Sequence, residues 1–201
     1  MQISQATLIA QKIKAQLEHF CQPNMCAIAG SVRREIAEVG DIEIVCVPKR
    51  QKYEQAALFD EVPDSSIEAT CSEFVAKANR LGKRIIKGTP HGRYMQFELV
   101  EKINLDLFIT EEKEFGRILA IRTGSSNYSH KVIAGGWRAR GWVGTDKGLR
   151  LQKQCYPIDI GNDKKKWICN ADHPTLPPPF LTEQDFFDFI KVDFIKPQDR
   201  K

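Results

Sequence analysis

One stretch, residues 29–47, constrains the fold of this chain more than any other. It reads AGSVRREIAEVGDIEIVCV, in which a glycine–serine turn and two arginines precede an apolar strand that starts at Asp41. Side chains alternate across a strand, so Asp41 and Glu43 project from the same face, about 7 Å apart along the chain. Two acids placed this way are costly unless they share a cation. The pair therefore predicts oxygen ligands for magnesium or manganese.

A third acid, Asp106, is the only charge in an otherwise apolar predicted strand, INLDLFI at 103–109. If that strand lies beside the one starting at Asp41, the three carboxylates converge on one or two metal ions, which can promote in-line phosphoryl transfer. Taken singly, Asp41 could be a turn residue, Glu43 an exposed strand residue and Asp106 a salt-bridge partner. Together with the turn ahead of them they favour a metal site, in which Ser31, the N–H groups of Gly30 and Ser31, and Arg34 would meet nucleotide phosphates.

The remaining pattern predicts an α+β fold with a mixed β-sheet and flanking helices over residues 1–111 and a smaller lobe over 112–201. Helices are expected at 4–20 (capped by Ser4), 66–81, 111–124, 127–140 and after Thr182, where Asp185 completes a capping box. Strands are expected at 26–29, 42–47, 83–87, 93–100 and 102–109. Residues 49–65 are expected to form a loop.

Charge and cysteine content limit the class of protein. The formal net charge is only +4, from 30 Lys+Arg and 26 Asp+Glu, which permits a polyanionic partner without demonstrating one. No apolar stretch approaches the roughly 20 residues of a membrane span, and no leader pattern opens the chain. The six cysteines form no CxxC pair, which favours a reducing compartment over a disulfide framework. Zinc held by Cys155, Cys169, Asp172 and His173 is disfavoured because the first spacing is long.

Three landmarks resemble a known family. GSVRR at 30–34, GDIE at 40–43 and the lone strand aspartate are similar to the nucleotidyltransferase superfamily. RTGSSNYSHKVI at 122–133 resembles the Thr-Gly-plus-helix segment of the X-family (polymerase-beta-like) DNA polymerases. The final LTEQDFFDFIKVDFIKPQDRK resembles their last helix and terminal signature, with Phe194, Pro197 and Arg200 matching.

The resemblance implies a catalytic palm over 1–111, a nascent-base-pair-binding subdomain over 112–201, and two Mg²⁺ or Mn²⁺ ions. Asp41, Glu43 and Asp106 would be the catalytic metal ligands, and Asp106 would also accept the proton of the primer 3′-hydroxyl. The partners implied are a dNTP and primer-template DNA. We expect a monomer without membrane attachment, cytoplasmic or associated with a nucleoid or a virus, and not secreted.

The same resemblance assigns binding residues. The triphosphate would contact Gly30, Ser31, Arg34 and Gly40. The sugar of the incoming nucleotide would lie over Arg122, Thr123 and Gly124, and the template backbone would be held by Lys87, Gly88 and Thr89.

The departures from the family pattern leave alternatives open. Glu43 stands where the family usually has Asp, Asn104 where it commonly has Arg, and Ile121-Arg122 where an aromatic pair checks the sugar. Ile133 falls near the position at which the family has an arginine that contacts the template strand. With no lyase or helix-hairpin-helix region ahead of the glycine–serine turn, we expect no lyase activity, weak DNA affinity and a partner protein that supplies grip on DNA. The alternatives are a transferase acting on another acceptor (RNA or terminal transfer) and a nucleic-acid-binding module with weakened catalysis.

Overall fold

Two units of the chain, Met1–Glu111 and Glu112–Lys201, each have a hydrophobic core of their own. The computed structural model describes residues 1–53, 67–161 and 165–201. The fold is α+β, with a mixed β-sheet flanked by helices in the first unit. Among the described residues, no helix is both long and apolar enough to span a bilayer.

A five-stranded sheet organises the first unit. The helices of this unit are α1 (Ile3–Glu18), α2 (Gly30–Arg33) and α3 (Ser72–Ala78). The strands are β1 (Cys21–Ile28), β2 (Asp41–Pro48), β3 (Arg50–Tyr53), β4 (Ile67–Thr70), β5 (Arg84–Gly88), β6 (Tyr94–Glu98) and β7 (Asn104–Ile109). The sheet runs β1-β2-β7-β6-β5, and β3 pairs separately with β4. Because β2 and β7 are parallel while the other neighbours are antiparallel, the sheet is mixed.

One face of this sheet forms the core. On β2, Ile42 and Ile44 are fully buried, and Leu105 and Leu107 are fully buried on β7. They share one cluster with buried residues of α1 and α3, namely Ile9, Ile13, Leu17, Phe74 and Ala78. The apolar spacing of α1 therefore serves the sheet, as its periodicity predicts. Strand alternation leaves Asp41, Glu43 and Asp106 on the opposite face.

Three local predictions in this unit are wrong or incomplete. Helix α1 begins at Ile3 and its N-cap is Gln2, without a side-chain cap bond, so Ser4 lies inside the helix. The helix expected over 66–81 is replaced by β4 and the shorter α3, because residues 67–70 pair with β3. The loop expected over 49–65 starts as β3. Residues 54–66 lie outside the described part of the chain.

The second unit combines helices with a four-stranded sheet. Its helices are α4 (Phe115–Thr123), α5 (Ser126–Tyr128), α6 (Ala134–Ala139) and α7 (Glu183–Ile190), with a π-helical turn at Ser129–Ile133. Its strands are β8 (Trp142–Thr145), β9 (Gly148–Leu151), β10 (Cys155–Asp159) and β11 (Lys165–Cys169), in the order β10-β11-β8-β9. The helix expected over 127–140 is thus divided between α5, the π-helical turn and α6.

The last helix and the chain end close the core of the second unit. The predicted capping box is confirmed: the Thr182 hydroxyl accepts from the Asp185 N–H at 3.2 Å, and the Asp185 carboxylate accepts from the Thr182 N–H at 2.8 Å. Arg200 is 0% exposed and donates to Glu183 at 2.6 Å. Its guanidinium also lies about 5 Å from the ring centre of Phe187. The terminal segment is therefore fastened to α7 by a buried ion pair.

Candidate active site

Strands β2 and β7 bring the predicted carboxylates to neighbouring positions. The two strands are adjacent and parallel, with Asp41 opposite Asn104 and Glu43 opposite Asp106. The adjacency of the two strands, on which the predicted convergence of the carboxylates depends, is therefore met. All three acids are half-buried, whereas their chain neighbours Ile42 and Leu105 are fully buried. The acids consequently lie on the sheet face turned away from the apolar cluster.

Two side chains of β6 hold the Asp106 carboxylate. The Tyr94 hydroxyl and the Gln96 amide nitrogen each donate a hydrogen bond of 2.9 Å to its Oδ1 atom. Gln96 is directly opposite Asp106 in the ladder, and Tyr94 is two residues away on the same strand face. Neither bond occupies Oδ2. Sequence reasoning missed both residues, because only the register of β6 against β7 identifies which polar residues of YMQFE face the aspartate.

Asp41 is an unfavourably placed carboxylate. Burial raises its pKa above the ordinary value, and the charge of Asp106 raises it further. The Arg34 guanidinium and a backbone hydrogen bond oppose this shift without cancelling it. An opposite charge nearby favours the ionised form of a carboxylate, so a bound cation would relieve the strain on Asp41. The electrostatics of Asp41 and Asp106 therefore fit a divalent ion.

The Glu43 side chain, which is one methylene longer than that of aspartate, reaches the first residue of α2. Gly30 has φ +62°, and a Cβ added to it would overlap the Glu43 Oε2 atom. The backbone supports the same approach, because the Ala29 N–H donates to the Glu43 carbonyl at 2.8 Å. Glycine is required at position 30 both for this backbone conformation and for the space that the carboxylate occupies.

The side chains as they stand do not form a closed metal site. Within the described ranges, no group of three or more His, Cys, Asp or Glu side chains is arranged to hold a metal ion. Asp41 and Asp106 fit a hard divalent cation by charge and by ligand type. Glu43, directly opposite Asp106 in the ladder, adds a third carboxylate to this face of the sheet.

The predicted phosphate-binding residues surround the start of α2 and β2. The Ser31 hydroxyl is shielded from solvent and has no hydrogen-bond partner among the described residues. Gly40 is exposed, and a Cβ added there would meet no atom within 4 Å. Arg34 is close enough to Asp41 to lower its pKa. A buried hydroxyl without a partner costs free energy, which a ligand hydrogen bond would recover once a movement of the turn exposes it.

The end of β5 and the turn after it contact the same network. The Lys87 ammonium lies 5.1 Å from the ring centre of Tyr94, the residue that donates to Asp106. Gly88 has φ +84°, and a Cβ there would overlap the Tyr94 carbonyl oxygen. Thr89 is exposed, and its carbonyl accepts from the Gly92 N–H at 2.9 Å in a tight turn. Tyr94 thus links the predicted template-binding loop to the carboxylate site.

The other predicted nucleotide-binding residues belong to the second unit. The Arg122 side chain is exposed, Thr123 is fully buried, and Gly124 follows the end of α4. The turn after them is ordered by Ser125, whose hydroxyl accepts from the Tyr128 N–H at 3.0 Å. Ile133 is 0% exposed within the core of this unit. It therefore packs against apolar side chains of this cluster.

No protein-family model matches the chain, and no curated protein matches it in sequence. The function is therefore inferred from the site itself.

Proposed function

We propose that this chain is a nucleotidyltransferase of the X-family DNA polymerase kind, which adds deoxynucleotides to a primer 3′-end. One observation carries the proposal: Asp41, Glu43 and Asp106 lie on one face of two parallel neighbouring strands, near a turn whose Ser31 hydroxyl has no hydrogen-bond partner in the described part of the chain. That combination offers carboxylates for divalent cations and hydrogen-bond donors for phosphate, on α2 and on the neighbouring strands β2 and β7.

The carboxylates would have separate tasks. Asp41 and Asp106 would hold Mg²⁺ or Mn²⁺, and the ions would supply positive charge for the transferring phosphoryl group. Asp106 would also accept the proton of the primer hydroxyl. Tyr94 and Gln96 bind its Oδ1 atom, so Oδ2 is the oxygen to which neither of them donates. Their two hydrogen bonds would keep this carboxylate in one orientation as charge develops.

The turn at the start of α2 would bind the triphosphate. The Ser31 hydroxyl would donate to a phosphate oxygen and thereby satisfy a group that has no partner among the described residues. Arg34 would neutralise negative charge next to Asp41, since guanidinium groups pair well with phosphate. The open space at Gly40 leaves room for the ligand to approach the backbone.

A primer-extension assay with Mg²⁺ and Mn²⁺ tests the proposal and separates the acceptor classes. Templated DNA primers, single-stranded DNA primers and RNA primers are each offered with dNTPs and with rNTPs. We expect template-directed addition of dNTPs. Preferred extension of RNA, or addition without a template, would assign the chain to another transferase class.

A second candidate is a nucleic-acid-binding module with weakened catalysis. It is favoured by the Glu43 carboxylate, which lies against Gly30. DNA binding without extension under either metal would support this candidate. Extension that stops in EDTA would support the polymerase proposal.

A further inference from the structure

Cys155 and Cys169 face each other across strands β10 and β11 of the second unit. They are directly opposite residues of an antiparallel pair, and both are partly exposed free thiols. Opposite residues in such a pair have Cα atoms about 4.5–5.5 Å apart, within the range of roughly 4.4–6.8 Å that a disulfide spans. The two cysteines therefore stand at disulfide distance without backbone movement.

Pro157 indicates which kind of pair this is. Proline has no N–H to donate and is tolerated on an edge strand where its nitrogen points away from the neighbouring strand. Strand β10 is an edge of the four-stranded sheet, and Pro157 is opposite Trp167. Pro157 and Trp167 therefore form a pair without mutual hydrogen bonds. Because the two types of pair alternate along an antiparallel ladder, Cys155 and Cys169, two residues away, also form a pair without mutual hydrogen bonds. In such pairs the Cα atoms are closest, at about 4.5 Å.

The surroundings of Cys155 suit an anionic reagent. Cys155, Pro157 and Trp167 line an open groove together with the cationic side chains of Arg140 and Lys153. Cationic side chains concentrate small anions near the surface. The other four cysteines are buried, namely Cys21, Cys26, Cys46 and Cys71. Reaction with a reagent in solution is thus confined to the cross-strand pair.

We propose that Cys155 and Cys169 form an oxidation site, at which a small anionic disulfide converts the two thiols into a cross-strand disulfide. The Cys155 thiolate attacks one sulfur of the small disulfide and releases the first thiol. The Cys169 thiolate then attacks the Cys155 sulfur and releases the second. The protein gives up two protons and two electrons, and the small disulfide is reduced to two thiols. The new bond would fasten edge strand β10 to β11.

The thiols react through their thiolate forms, which sets the conditions of the test. Partial burial, followed by the hydrogen bond and charge of Cys169, raises the pKa of Cys155 to about 11. Since the thiolate is the nucleophile, exchange is slow at neutral pH and accelerates as the pH rises toward that pKa. Mildly alkaline buffer therefore gives a measurable rate.

The test uses oxidised glutathione, an anionic disulfide, on the full reduced chain at about pH 8.5. After acid quenching, the intact mass is measured and the remaining thiols are counted in denaturant. Of the six thiols, we expect two to be lost, with no glutathione attached. Cys155→Ser and Cys169→Ser should each carry one glutathione on the remaining member of the pair. Retention of all six thiols by the wild type, or lasting glutathione adducts in place of the internal bond, would overturn the proposal.

Discussion

The Tyr94 hydroxyl donates a 2.9 Å hydrogen bond to Oδ1 of Asp106, across the β6–β7 ladder. The ring of the same tyrosine lies 5.1 Å from the Lys87 ammonium. One side chain therefore joins the proposed proton acceptor to the loop proposed to hold the template. Hydrogen bonds from neighbouring side chains orient carboxylates that bind metal ions and alter their affinity for the metal.

Replacing Tyr94 by Phe keeps the ring near Lys87 and removes the hydroxyl that donates to Asp106. We expect the affinity for Mn²⁺ and the extension rate each to fall by about tenfold to a hundredfold. The affinity is measured by electron paramagnetic resonance in the absence of DNA. Tyr156→Phe, at an exposed tyrosine of the second unit, is the matched control and should change neither quantity. Equal Mn²⁺ affinity in Tyr94→Phe and the wild type would show that the bond does not orient the carboxylate.

Gly30 and Glu43 should be energetically coupled. Gly30→Ala places a methyl group where the Glu43 carboxylate lies, at a backbone conformation of φ +62°. The conformation alone costs about 1–2 kcal/mol for a residue other than glycine. Glu43→Asp withdraws the carboxylate, so Gly30→Ala should cost less in that background. A double-mutant cycle by urea unfolding is expected to give a coupling of roughly 0.5–3 kcal/mol, whereas strict additivity would contradict the contact.

Asp41 should destabilise the metal-free protein at neutral pH. Its folded-state pKa is raised above the ordinary 3.8, so the folded state holds the proton more tightly than the unfolded chain does. The free energy of unfolding therefore falls as the pH rises from the ordinary pKa through the folded-state pKa. We expect Asp41→Asn to raise the unfolding midpoint in EDTA at neutral pH, with the gain vanishing in acid. A gain that persists unchanged below the ordinary carboxyl pKa would argue against this origin.

The ion pair between Arg200 and Glu183 should be one of the most sensitive positions of the second unit. The two residues are 0% and 6% exposed, so removing one partner leaves a buried charge alone. We expect Glu183→Gln or Arg200→Met to lower the free energy of unfolding by about 3–5 kcal/mol. Gln184→Ala, on the exposed side of α7, should cost less than about 1 kcal/mol. Similar losses for the buried and the exposed replacement would contradict the account.

The two strands that contain the acids and the capping of the last helix could be predicted from the sequence because both depend on local patterns, whereas the pairing of those strands was only a condition of the predicted site. The apolar alternation around Asp41 and Asp106 identified two strands, and Thr182 with Asp185 identified a helix start. The strand β4 could not be predicted in this way. Its residues follow a pattern that also suits a helix, and only pairing with β3 selects the extended form.

The details of the site depended on contacts between distant segments. Nothing in the local sequence shows that Glu43 reaches Gly30, since that requires α2 and β2 to be placed together. Tyr94 and Gln96 were missed for a similar reason, because their role follows from the register of β6 against β7. Side-chain partners across a sheet are set by register, and a shift of one residue would turn both away from Asp106.

The extension rate of Asp106→Asn, measured beside the wild type, tests the central claim most directly. Asparagine keeps the shape of the side chain but removes its charge and its capacity to accept the primer proton. The account predicts metal-dependent extension by the wild type and a loss of about 10³-fold or more in Asp106→Asn, with folding preserved. The exposed-site control Asp193→Asn should match the wild type. Extension by purified Asp106→Asn at the wild-type rate would contradict the assignment of this carboxylate to catalysis.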